Sequence, residues 1–124
     1  MKAFCTEAYY MIFSTLANRT RLAIIDVLKD GAKAVSEISK TLEQDEKVIS
    51  DNIKSLVKCA LVLPEGAGKN KAYCINKEII EPLSEMLEFH VDKYCPGFSK
   101  CIPPEKLKAY LKEEAAKTMY IEHE

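Results

Sequence analysis

Apolar positions along the chain recur at helical spacing, and glycine and proline cut the pattern into segments. Phe4, Ala8, Ile12 and Leu16 stand about one turn apart, with Tyr9, Met11 and Phe13 widening the stripe, which predicts a helix over 4–17. Such a helix is too apolar to lie alone on a surface and calls for a partner element or a second subunit. Asn18 is placed to cap a second helix over 19–29, carried by Leu22, Ile25 and Leu28 and stopped by Gly31. A short third helix over 35–43 turns Val35, Ile38 and Leu42 inward. Asp45 caps a fourth over 46–60, whose inner face is Ile49, Ile53, Leu56 and Ala60. Its outer face carries Lys47, Ser50, Asp51, Lys54 and Lys58.

The period then changes. Leu61-Val62-Leu63-Pro64 and Lys71-Ala72-Tyr73-Cys74-Ile75-Asn76 flank a glycine-rich turn and predict a β-hairpin. A fifth helix over 78–94 bears the seam Ile80, Leu83, Leu87, His90 and Tyr94, a spacing that suits two packed helices. Pro82 is tolerable in its first turns. Cys95-Pro96-Gly97 breaks the pattern, and residues 104–121 resume it with Leu107, Leu111 and Ala115 on one side and Pro104 in the first turn. The expected fold is mainly α with a small β-hairpin.

Length fits one domain: 124 residues, read as a single unit over 1–124. The formal net charge is −1, which excludes a strongly basic nucleic-acid coat and an acidic tail protein. Along the chain the charge separates, with +2 over residues 14–76 and −3 over 77–124. No apolar run approaches the ~20 residues that cross a bilayer, so no membrane partner is expected. The N-terminus reaches Glu7 too early for a secretory signal. Five cysteines, an odd number without such a signal, argue for reduced thiols in a cytosol rather than a disulfide scaffold.

Two short helices, the second with a polar and partly basic outer face, followed by a basic hairpin, make a winged helix-turn-helix pattern. The helix over 46–60 fits the major groove with its first two turns facing base edges. Lys69 and Lys71 at the hairpin would reach phosphates or the adjacent minor groove.

The motifs sharpen this pattern. Phe13-Ser14-Thr15-Leu16-Ala17-Asn18-Arg19-Thr20-Arg21-Leu22 resembles the opening "LADPTRL" motif of the arsenic-repressor (ArsR-type) family of metalloregulatory winged helix proteins. Val35-Ser36-Glu37-Ile38-Ser39 resembles that family's supporting helix, Val48 to Leu56 its recognition helix, and Leu61-Val62 its entry to the wing. The resemblance covers about half the chain, residues 13–76. It implies a homodimer through the first and last helices, so that 4–17 is a dimerisation helix, 18–76 the winged helix-turn-helix and 77–124 a dimerisation and effector region. It also implies a cytoplasmic, sequence-specific repressor of transcription that leaves double-stranded DNA when an effector binds. Ser50 matches the family's recognition-helix serine and Lys54 its lysine, and Lys47 occupies a polar contact position near the helix start. Asp51 and Asn52 stand where arginine or histidine is usual, and Glu46 where glutamine or serine is usual. The DNA-binding set implied is Lys47, Ser50, Asp51, Asn52, Lys54, Lys69 and Lys71.

Cys95 and Cys101 bracket a tight turn just after the fifth helix, so two thiols could converge on one ion. Cys5 and His90 are further candidates for the same site. The zinc pattern of some family members, echoed by Glu88-Phe89-His90 and Cys101, is broken by Pro104, which cannot ligate. A thiolate-bound soft metal ion suits the pair better, as does oxidation of the two thiols; neither is required for the fold. Both compete with a structural role for the same residues. Cys59 and Cys74 read as packing residues, and His90 equally as a hydrogen-bonded interface histidine.

A second class of function fits the same pattern: a winged helix that binds a protein through the acidic positions Glu46 and Asp51. An enzyme is not expected, since no nucleophile–base motif, phosphate loop or His-Glu metal-hydrolase signature is present.

Overall fold

The computed structural model describes residues 5–66, 68, 71–94, 109, 111–113 and 116. Five helices and a hairpin follow in order: α1 (Thr6–Leu16), α2 (Arg19–Leu28), α3 (Val35–Leu42), α4 (Glu46–Lys58), β1 (Val62–Glu65), β2 (Ala72–Ile75) and α5 (Lys77–Tyr94). Up to residue 94 the expected and observed elements agree within a few residues, while the helix expected over 104–121 lies largely outside the described residues. Among the described residues no helix is long and apolar enough to cross a membrane.

Local chemistry sets the helix ends. The Asn18 side chain accepts from the Arg21 amide at 3.0 Å, and the Asp45 side chain from the Lys47 amide at 2.8 Å, so both expected caps form. At α3 the Glu37 carboxylate reaches back to the Ala34 amide at 3.1 Å. Between α3 and α4 the chain turns through Glu43 in the left-handed region, and Ser39 bonds Gln44 through both its carbonyl and its hydroxyl.

α4 ends differently from the expectation. It stops at Lys58, and Ala60, placed on the inner face by periodicity, is exposed with φ 56°. The Ala60 amide bonds to the Val57 carbonyl at 2.9 Å and the Leu61 amide to the Leu56 carbonyl at 3.0 Å. Those paired bonds form a Schellman motif, which requires a left-handed residue at the Ala60 position. Asn76 closes the junction, donating from Nδ2 to the Ala60 carbonyl at 2.8 Å. Its own carbonyl accepts from Ile79 and Ile80 at the start of α5.

In the hairpin, β1 and β2 pair antiparallel with Val62 opposite Ile75 and Pro64 opposite Tyr73. The Tyr73 amide and carbonyl both bond to Lys33, at 2.9 and 3.0 Å. Tyr73 therefore asks no hydrogen bond of Pro64, and a proline fits in β1 without leaving β2 short.

One core joins the elements. It holds Ala23, Ile24 and Leu28 of α2, Ile38 and Leu42 of α3, Ile49, Ile53 and Leu56 of α4, Leu61, Val62 and Ile75 of the hairpin, Ile80 of α5, and Leu111. At about 25 cal/mol per Å² of apolar surface this burial is the main stabilising term. α2 corrects the sequence reading: its core face is Thr20, Ala23, Ile24 and Leu28, whereas Leu22 is 50 % exposed and Ile25 only half-buried. The seam expected on α5 is also mostly open, for only Ile80 is buried while Leu87, His90 and Tyr94 are exposed. α1 buries no residue at all.

Candidate nucleic-acid interface

The inner face of α4 is fixed by Ile49, Ile53 and Leu56, each at most 1 % exposed. A helix with that face in the core must turn Lys47, Asp51, Lys54 and Lys58 outward, since they follow one another at intervals of three or four residues. All four are exposed, and Ser50 lies half-buried beside them. The outer face thus joins three ammonium groups with one carboxylate and one hydroxyl, a set that can meet phosphates and base edges together. The helix N-terminus adds its partial positive charge at Glu46 and Lys47.

Asn52 stands apart from this set. Its Oδ1 accepts from Arg21 Nε at 3.0 Å, and its Nδ2 donates to the Val48 carbonyl at 2.9 Å. The same arginine donates from Nη1 to the Thr15 carbonyl at 3.2 Å. Arg21 escaped the sequence reading. A signal for it existed: Asn52 lies three residues after Ile49 and four before Leu56, at the flank of the core face rather than on the outer one.

The wing presents Lys71, whose ammonium lies 5.6 Å from the centre of the Tyr73 ring. Tyr73 packs against the core, so the stacking cation is held close to the body of the domain. Lys69 lies outside the described residues.

Of the candidate effector residues, Cys95 and Cys101 lie outside the described residues. Cys5 is exposed at the start of α1, and His90 is exposed on α5 with its ring 5.3 Å from that of Tyr94. Among the described residues no three His, Cys, Asp or Glu side chains assemble as a metal set. Cys74 is half-buried with Sγ 3.7 Å from the Leu63 carbonyl; desolvation, and after it the Glu65 carboxylate, push its thiol pKa up. Cys59 meets the Thr15 hydroxyl at 3.3 Å.

α1, α2 and α5 enclose an apolar groove of about 680 Å³. Phe13, Leu16, Leu22, Ile25, Leu83 and Leu87 line it, with Glu88 and Asp92 also on its wall. Leu22 of α2 and Leu83, Leu87 and Val91 of α5, none of them buried in the core, face this groove.

Helix-turn-helix α3–α4 with the β1–β2 wing defines a winged helix-turn-helix protein. Residues 18–62, which hold the helix-turn-helix, match the family model described as "Bacterial regulatory protein, arsR family". Solved structures agree in fold. A possible transcriptional regulatory protein from Mycobacterium bovis, solved as a fragment, is 27% identical over 75% of this chain and 100% of its own, with a TM-score of 0.64. The homodimeric winged helix-turn-helix DNA-binding domain of a possible ArsR-family regulator from the same organism gives 24% identity, coverage of 76% and 93%, and a TM-score of 0.63. The reduced form of the transcriptional regulator YodB from B. subtilis gives 24% identity, coverage of 76% and 98%, and a TM-score of 0.61. No match was found among curated proteins.

Proposed function

We propose that the protein is a homodimeric, cytoplasmic, sequence-specific DNA-binding regulator of transcription, acting as a repressor. The observation that carries this reading is the outer face of α4. Lys47, Ser50, Asp51 and Lys54 stand on a helix whose other face is locked in the core, beside a wing bearing Lys71. The apolar groove between α1, α2 and α5 supports the homodimer, and the M. bovis domain of the same fold is homodimeric. In a dimer two copies of α4 read two half-sites, which offsets the weak positive charge of each reading head.

The signal is assigned to Cys95 and Cys101, with Cys5 and His90 as further members, through a soft metal ion held by thiolates or through oxidation of the pair. Thiolates select soft ions, and the reduced state named for YodB makes thiol chemistry a natural comparison within this fold.

The test is a mobility shift with a labelled duplex from the region upstream of the gene, at low salt, against random DNA. A preference for the upstream duplex is expected, and its loss when Lys47→Glu and Lys54→Glu are combined. Absence of any preference sinks the reading. DNA binding unchanged in the double variant favours instead a protein-binding winged helix using Glu46 and Asp51. Cys95→Ser and Cys101→Ser are each expected to abolish release by a thiol-binding metal or an oxidant while leaving DNA binding intact. Release retained in both variants removes the pair from the mechanism.

A further inference from the structure

Thr15, near the end of α1, is tied to α4 by two routes. The first runs through Arg21. The Thr15 carbonyl accepts from Nη1 at 3.2 Å, while Nε of the same guanidinium donates to Asn52 Oδ1 at 3.0 Å. The second is direct, from the Thr15 hydroxyl to Cys59 Sγ at 3.3 Å. That hydroxyl already donates its one proton to the Met11 carbonyl at 2.7 Å, so the thiol is the donor to it. Asn52 lies in the middle of α4 and Cys59 at its C-terminal cap, so α1 holds the helix at two points along its length.

The guanidinium is planar, and its donors keep fixed directions. With the core face of α4 already turned inward, an arginine that donates to both Thr15 and Asn52 holds the remaining freedom of its rotation relative to α1. Slipping α4 by one residue turns it by about 100°. Asn52 would leave the arginine, and Lys47, Ser50 and Lys54 would leave the outer face. Thr15, Arg21, Asn52 and Cys59 are all half-buried, where such bonds are shielded from competing water.

We infer that Arg21 is a positioning residue for recognition by α4: it holds the rotation of the reading helix and ties it to α1, which exposes the apolar residues Tyr10, Met11 and Phe13. A change at the α1 surface is then passed to the reading face. This rests on the reading of α4 as the DNA-contacting helix.

The experiment compares the wild-type protein with Arg21→Met, Asn52→Ala and the double variant. Affinities are measured for a duplex that the wild-type protein selects from a randomised pool, and for a random duplex, across a salt series. Arg21→Met is expected to weaken the selected duplex by about tenfold, the effect of one charge-assisted hydrogen bond, with random-duplex affinity and salt slope unchanged. Asn52→Ala is expected to do the same, and the double variant no more than either single one. A fall on both duplexes with a smaller salt slope would make Arg21 a phosphate ligand and overturn the proposal. Additive losses, or no loss, overturn it as well. Should Arg21→Met fail to fold, Asn52→Ala removes the same bond from the α4 side.

If the wild-type protein selects no sequence, the DNA-binding reading fails by itself. The positioning is then decided by amide exchange. Faster exchange within residues 46–58 in both single variants supports it, and unchanged exchange overturns it.

Discussion

The backbone of Tyr73 gives both its hydrogen bonds to Lys33, so the segment between α2 and α3 acts as a third, one-residue strand of the wing. This contact pins β2 to the helix-turn-helix rather than leaving the hairpin as a free arm. Lys33→Pro removes the donor of one of the two bonds. The expected loss is about 1–3 kcal/mol of stability, seen as a lower urea midpoint, with faster amide exchange in residues 72–75.

Ala60 adopts the left-handed conformation that the end of α4 requires. Its Cβ makes that conformation unfavourable by about 1–2 kcal/mol, while glycine adds about 0.4–1 kcal/mol of unfolded-state entropy to be lost. Ala60→Gly is therefore expected to stabilise the protein by about 0.5 kcal/mol net. Thermal unfolding of the variant beside the wild type measures it, and a lower midpoint would refute the account of this helix end.

Leu87 is 54 % exposed and lines the groove between α1, α2 and α5. Leu87→Glu places a carboxylate there, next to Glu88. Self-association should fall by at least tenfold in sedimentation, while a surface change of this kind alters the stability of the single chain by no more than about 0.5 kcal/mol. Undiminished self-association would move the interface elsewhere.

Cys5 and Cys74 differ in their surroundings. Cys5 is exposed, whereas desolvation and then Glu65 hold Cys74 in its thiol form. A raised pKa means that the reactive thiolate of Cys74 appears only as the pH rises further. At pH 8 iodoacetamide should modify Cys5 about tenfold faster than Cys74, and the gap should narrow as the pH is raised. Peptide mass spectrometry over time reads both rates.

Much of the fold was legible because the helices repeat their apolar residues at helical spacing and two of them carry side-chain caps. Asn18 and Asp45 announced α2 and α4, and Ile49, Ile53 and Leu56 identified the inner face of α4. Periodicity shows which residues share a face, but not which neighbour covers it. α2 is apolar on two sides, so the spacing of Leu22, Ile25 and Leu28 marked the helix without telling that Leu22 and Ile25 line the groove while Leu28 enters the core. Ala60 continued the apolar spacing of α4 past the point where the backbone reverses. At the interface, the exposed set Lys47, Asp51 and Lys54 followed from the position of the core face. The bond between Arg21 and Asn52 did not, because it joins two polar residues 31 positions apart.

Pro64 has a consequence for how copies of this chain can meet. Because Tyr73 directs its backbone bonds toward Lys33, the antiparallel alternation turns the backbone of Pro64 the opposite way, to the free edge of β1. At that edge a strand from another molecule would look for an amide and meet a pyrrolidine ring. The wing is thereby guarded against the runaway stacking that exposed sheet borders invite. Contact between copies is channelled to the helical side of the molecule, where it can close on itself as a pair.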